Sequence, residues 1–240
     1  MAQLFAGTSG WAYLSWKPDF YPEKLAQKKF LAHYTTKLNT VEVNFTFRQL
    51  VKESTIQNWL SESPAHFRFG VKAHQVITHI KRLKGTEDFV RRFLATIEPL
   101  ATSGKLGPVL FQLPPNLKAD PALLKDFLAT LPRTVPAAFE FRHESWFTDA
   151  TWELLKAAGA SLCVAETETR TTPDVVTGPF AYHRFRKPTY TSEERRTRVD
   201  RIRQHIAEGR NVFAYFKHEE TPEGALYAVE LLRDVSGAAS

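Results

Sequence analysis

The chain has 240 residues with 43% hydrophobic and 24% charged side chains, which suits one globular domain and is thin for two separate cores. Its net charge of +6 permits an anionic partner, such as a phosphate ester, a nucleotide or nucleic acid, and equally describes a mildly basic, solubilising surface. No apolar stretch approaches the ~18 residues of a membrane span. Residues 1–10 lack the basic and apolar pattern of a secretion leader, and the single cysteine, Cys163, excludes an internal disulfide, so the expectation is a cytoplasmic protein with no membrane partner.

Eight short apolar runs alternate with helix-length segments. The runs at 4–8, 40–44, 67–73, 108–113, 137–142, 161–165, 180–184 and 212–217 read as strands, and the gaps between them favour parallel pairing with crossover connections. Helices are expected at 23–38, 51–61, 86–103 and 148–158. Asp120-Pro121 and Thr221-Pro222 each place a capping side chain before a proline suited to the first helical position. Thr191 and Glu194 have capping-box spacing, and Val199, Ile202 and Ile206 continue as one apolar stripe among arginines. With one helix after each strand, the pattern describes a single α/β domain over residues 1–236, a (β/α)8 barrel of the TIM type, with 237–240 as a short tail. An open doubly wound sheet shares the pattern. The lack of a Gly-x-Gly-x-x-Gly turn after the first strand argues against its dinucleotide-binding form.

Such barrels do their chemistry at the C-terminal ends of their strands, and polar residues gather there. Thr8 and Ser9 follow the first strand. Glu42 and Asn44, and again Glu140 and Arg142, stand two apart and so point to one side. Lys72, Gln112 and Lys217 end the third, fourth and eighth strands. His183 and Arg184 on the seventh point opposite ways, and alternation leaves open which faces in. Charge inside a barrel is costly unless paired or wetted, so two readings stand. In one, Glu42 or Glu140 acts as acid or base while Thr8, Ser9, Asn44, Lys72, Gln112, Arg142, Arg184 and Lys217 bind substrate. In the other, a closed network of Glu140 with Arg142 and Glu42 with Lys72 plugs the barrel top.

Two loops add positive charge to the same rim: His74, His79, Lys81, Arg82 and Lys84 after strand three, and Arg184, Arg186 and Lys187 at strand seven, where barrels commonly seat phosphate. Trp11, Trp16, Trp146, Phe45 and Phe47 either stack on a ligand or cap the core. The basic segment 195–203 either meets nucleic-acid backbone or is the solvated face of an outer helix. No Walker-type phosphate loop, Gly-x-Ser-x-Gly elbow or His-Glu-x-x-His pair occurs. One cysteine cannot build a thiolate zinc site, and no cofactor is called for. A divalent metal on Glu140, Glu166 and His218 is geometrically conceivable. Cys163, amid apolar neighbours, reads as inert packing.

Six segments in order carry a resemblance across nearly the whole chain: Gly7-Thr8-Ser9-Gly10-Trp11, Tyr21-Pro22, Val41-Glu42-Val43-Asn44-Phe45-Thr46-Phe47, Phe69-Gly70-Val71-Lys72-Ala73, Leu110-Phe111-Gln112-Leu113-Pro114-Pro115 and Glu140-Phe141-Arg142-His143-Glu144-Ser145-Trp146. Together they resemble the domain-of-unknown-function family 72, also called YecE-like. The resemblance implies a β/α barrel of bacterial or archaeal type and no established reaction. It places the family's recurrent polar positions at Thr8, Ser9, Glu42, Asn44, Lys72, Gln112, Glu140 and Arg142. The family's seventh strand runs roughly Tyr-x-Arg-x-His-Gly. Here Tyr182-His183-Arg184-Phe185-Arg186-Lys187 keeps the arginine, which favours Arg184 as the inward residue, and replaces the His-Gly pair. The eighth strand ends Phe216-Lys217-His218 where the family often has Phe-Asn-Asn, so this mouth is more basic. Sugar-isomerase and endonuclease-IV barrels are an analogy of fold only.

The function expected from these features is an enzyme acting on a small phosphate-bearing anion at the barrel mouth, with Glu140 as general base and Arg142, Lys72 and Arg184 as anion clamps. The alternatives are a nucleic-acid-binding or -processing barrel and a non-catalytic scaffold with a plugged barrel. Oligomeric state is left open.

Overall fold

The computed structural model describes residues 1–169, 171–217 and 220–237. Eight parallel strands follow one another around a ring: β1 (Leu4–Thr8), β2 (Thr40–Val43), β3 (Arg68–Lys72), β4 (Leu106–Gln112), β5 (Ala137–Glu140), β6 (Ser161–Glu166), β7 (Phe180–Phe185) and β8 (Asn211–Phe216). Each pairs with its sequence neighbour from β2 to β8, and β8 pairs back onto β1. Helices α1 (Phe30–Tyr34), α2 (Glu53–Glu62), α3 (Glu87–Thr102), α4 (Pro121–Thr130), α5 (Asp149–Ala158), α6 (Ser192–Ala207) and α7 (Glu223–Ser236) accompany the strands. No described helix is long and apolar enough to cross a membrane.

The seam between β1 and β2 closes by side chains. Its backbone pairing is reduced to a bridge between Ser9 and Glu42. The Asn39 amide stands in for the missing ladder: its Oδ1 accepts from Ala6 N–H at 2.9 Å and its Nδ2 donates to the Leu4 carbonyl at 2.8 Å. Further along, the Tyr34 hydroxyl accepts from Thr8 N–H and donates to the Thr40 carbonyl. A Cβ at Gly7 would sit 1.9 Å from the Thr40 oxygen, so only glycine allows the strands to approach here. Asn39→Ala removes two hydrogen bonds and leaves two strand groups unpaired; at ~0.5–1.5 kcal/mol per bond it is expected to destabilise by about 1–3 kcal/mol in urea unfolding. An unchanged midpoint would refute the seam's role.

Helix ends follow the expected chemistry in most places. Asp120 accepts from Leu123 N–H ahead of Pro121, and the Thr191–Glu194 capping box is complete. Three expectations are corrected. Thr221 does not cap α7, whose cap position is Pro222 with no side-chain bond. The helix expected over 23–38 shrinks to Phe30–Tyr34 after a short 3-10 turn, and beyond it Thr35 and Thr36 fold their hydroxyls back onto the Ala32 and His33 carbonyls. No described helix links β6 to β7. That stretch is rich in threonine and valine and contains Pro173, all poor helix formers. It runs alongside β6 instead: Thr177 Oγ1 accepts from Leu162 N–H and Thr172 pairs with Ala165. The strand ends also retreat, so Asn44, Arg142 and Lys217 lie just beyond β2, β5 and β8. The tail expected at 237–240 lies outside the described residues from 238 onward.

Inside the ring, side chains of alternate residues stack in layers. Phe5, Phe180 and Phe213 close the lower end, with Phe5 and Phe213 stacked at 4.6 Å. Leu110, Cys163, Tyr182 and Tyr215 fill the middle, where Gly70 leaves room for the Tyr215 ring. The larger apolar core lies between the strands and the helices. The same alternation makes the next layer up polar.

Candidate active site at the barrel mouth

The upper layer is built around Arg184. It is 1% exposed and faces into the barrel, while His183 points outward against the His205 ring of α6. Arg184 Nη2 donates to Glu42 Oε1 at 2.6 Å and Nη1 to Glu140 Oε2 at 2.5 Å. Ser9 Oγ donates to Glu42 Oε1 at 2.8 Å and the Tyr182 hydroxyl to Oε2 at 2.5 Å. Glu140 also accepts from Gln112 Nε2 at 2.9 Å and from Arg142 Nε at 3.1 Å. Gln112 passes the chain outward by accepting from Lys72 Nζ at 2.8 Å. The Glu140–Arg142 pair is thus as expected, whereas Glu42 pairs with Arg184 and not with Lys72, because the guanidinium fork spans both carboxylates at once.

Burial by itself raises the carboxyl pKa of Glu42 and Glu140. Arg184 and Arg186, with Arg142 beside Glu140, outweigh it, lowering Glu42 and holding Glu140 well below the usual range. Lys72 responds the other way. Burial, then the neighbouring Arg184, pushes its ammonium down to about 8 against the pull of Glu42 and Glu140. Its Nζ lies 4.1 Å from the centre of the Phe47 ring, which also meets the His79 imidazole edge to face. Burial, then Lys72 and Arg142, lowers His79 as well.

Arg186 continues the inward face two residues beyond Arg184. Its Nε–H is buried with no hydrogen-bond partner among the described residues, and its pKa is lowered by burial and by Arg184. The two carboxylates are therefore matched by Arg184 and Arg142, while Lys72 and Arg186 form no ion pair among the described residues.

The remaining expected site residues scatter. Thr8 faces the β1–β2 seam, its hydroxyl bonded to the Gly10 carbonyl and Tyr34. Lys217 is exposed. Asn44 is half-buried at the edge of a cavity of about 340 Å3, and its Oδ1 has no partner among the described residues. Glu166 binds Arg198 and Lys187, away from Glu140, and His218 lies outside the described residues. Among the described residues no three His, Cys, Asp or Glu side chains gather as a metal-ligand set. Trp16 and Trp146 are core residues at 0% exposure, whereas Trp11 lines the cavity. Along α6, Arg195, Arg198, Arg201 and Arg203 pair with acidic side chains, as an outer helix requires. Tyr182, a middle-layer residue whose hydroxyl reaches Glu42, was not expected at the site, and Arg186 was expected only as part of the basic rim. The two-residue period through Arg184 was the signal for both.

The family described as "Protein of unknown function DUF72" matches residues 5–239. UPF0759 protein YunF of Bacillus subtilis is 30% identical over 166 residues, 65% of this chain and 58% of YunF, so the chain spans little more than half of that relative. The crystal structure of a DUF72 family protein from Thermotoga maritima superimposes with a TM-score of 0.87 at 25% identity, covering 98% of this chain and 99% of that one. The AP endonuclease, family 2, of Brucella melitensis has a TM-score of 0.52 at 7% identity over 91% of this chain and 93% of its own, a likeness of fold alone.

Proposed function

Because the chain belongs to the DUF72 family, whose description assigns no reaction, we propose from the mouth itself that the protein is an enzyme for a small phosphate-bearing anion, held at the C-terminal end of the barrel. The observation that carries this reading is the buried, unpartnered Nε–H of Arg186 beside Lys72. A buried cationic donor without a partner is costly, and an anionic acceptor removes that cost. A plug alone needs only the Glu42–Arg184–Glu140 bridge. The surplus cations are what a plug leaves unexplained.

In this reading the carboxylates orient Arg184, and Arg142, Lys72, Arg186 and Gln112 receive the ligand. Lys72 replaces Glu140 as the proton-transfer group, since a carboxylate held far below the usual range is a weak base at neutral pH, while a group near 8 exchanges its proton there. Nucleic-acid processing draws on the AP endonuclease likeness, which carries fold only, and the paired arginines of α6 give it no support.

The test is calorimetric titration of phosphate and small phosphomonoesters at low ionic strength. Binding is expected, weakened at least tenfold in Arg142→Ala, and falling as pH rises through about 8, where Lys72 loses its charge. Binding that is flat through that range and indifferent to Arg142 would overturn the reading.

A further inference from the structure

The cationic mouth has an apolar neighbour. A cavity of about 340 Å3 opens on the rim of β1 and β2, walled by Trp11, Tyr13, Phe45 and Trp59 and edged by Gly10 and Asn44. It begins one residue beyond the charged network at two places. Ser9 donates to Glu42 while Gly10 lines the cavity, and Glu42 stands in the network while Val43 and then Asn44 line the cavity. The turn that carries Phe45 also carries Phe47, whose ring meets the Lys72 ammonium. The two regions therefore adjoin along β1, β2 and the turn that follows β2.

The lining restricts what fits. Trp11 and Trp59 meet edge to face at 5.7 Å, and Phe45 is 49% exposed, which leaves aromatic surface available for stacking. These are surfaces for a planar body. The buried, unpartnered Asn44 Oδ1 is an acceptor, so the body presents an N–H or O–H edge. The volume sits at the lower end of small-molecule sites, which suits one ring system rather than a polymer. Beside it, Lys72 and Arg186 supply two positive charges without carboxylate partners among the described residues, a match for a phosphomonoester dianion.

We infer that the mouth and this cavity form one site for a mononucleotide, with the phosphate at Lys72 and Arg186 and the base between Phe45 and Trp11 against Asn44. The inference rests on the anion-binding reading above, and the experiment separates the two. Inorganic phosphate, adenosine, AMP, GMP, CMP and UMP are titrated separately, by calorimetry and by quenching of tryptophan fluorescence. At least one monophosphate is expected to bind tenfold or more tighter than phosphate and than adenosine, and to quench. Phe45→Ala, a change at an exposed position, is expected to weaken that monophosphate roughly tenfold, the usual scale for loss of base stacking, and to leave phosphate binding unchanged. Asn44→Ala should weaken the monophosphate likewise. If phosphate binds and no monophosphate binds tighter, the nucleotide inference falls and the anion site stands. If neither binds, both fall. Tighter, steeply salt-dependent binding of a single-stranded oligonucleotide would overturn the mononucleotide assignment in favour of a nucleic-acid surface.

Discussion

Arg184→Met is expected to be the most destabilising single substitution in the barrel, by about 3–5 kcal/mol near neutral pH. The side chain is 1% exposed and bridges Glu42 and Glu140, themselves 0% and 1% exposed. Methionine fills much of the volume, so the loss is electrostatic rather than a cavity. Two buried carboxylates lose their shared counter-charge, and removing one partner of a buried ion pair leaves an uncompensated charge at full desolvation cost. The pH dependence identifies the cause. Without Arg184 both acids take up protons more readily in the folded state, so the deficit relative to wild type should narrow as pH falls from about 7.5 towards 5. Urea unfolding of both proteins across that range is the measurement. A deficit below about 1 kcal/mol, or one that stays constant with pH, would show that Arg184 does not balance these charges.

The wild-type protein should in turn lose stability steeply in acid. Glu42 has a folded pKa below that of unfolded chains and Glu140 one well below it, through their arginine partners and despite burial. A group lowered in the folded state contributes stability that is fully present above its unfolded value, about 4.3 for glutamate, and is lost as pH falls through the folded value. For a strongly lowered carboxylate this contribution is on the order of 2–3 kcal/mol at neutral pH. Thermal unfolding between about pH 6 and pH 2 should show a progressive fall below about 4. Glu140→Gln, which cannot titrate, should be less stable at neutral pH and show a shallower acid limb. The same acid limb in wild type and variant would remove Glu140 from the account.

Much of the mouth was legible because strand alternation reaches it intact. Glu140 stands two above Ala138, Arg184 two above Tyr182, and Glu42 two above Thr40, whose hydroxyl meets the inward Tyr215, so parity alone aims all three inward. The same parity separates Thr8 from Ser9: adjacent residues take opposite sides, and the one bonded to Glu42 is Ser9. The Glu140–Arg142 pair was legible from its spacing, but the cation that meets Glu42 was not. Long side chains from different strands choose partners by reach in three dimensions, and Arg184 spans two. The Asn39 seam was hidden for a similar reason. An asparagine before a strand reads as a turn residue, and only closure of the ring brings Leu4 and Ala6 within its reach. The helixless link from β6 to β7 carried a local signal in its threonines and Pro173, against the regular alternation of the rest.

The central claim is that the mouth carries surplus positive charge placed for a small anion. The most direct test is a crystal structure of the protein soaked in tungstate, a phosphate mimic located by its anomalous scattering. The account predicts the ion within hydrogen-bond reach of Lys72 and the Arg186 guanidinium, with the Glu42–Arg184–Glu140 bridge intact beneath it. An unoccupied mouth at saturating tungstate, or an ion bound only at the outer arginines of α6, would contradict it.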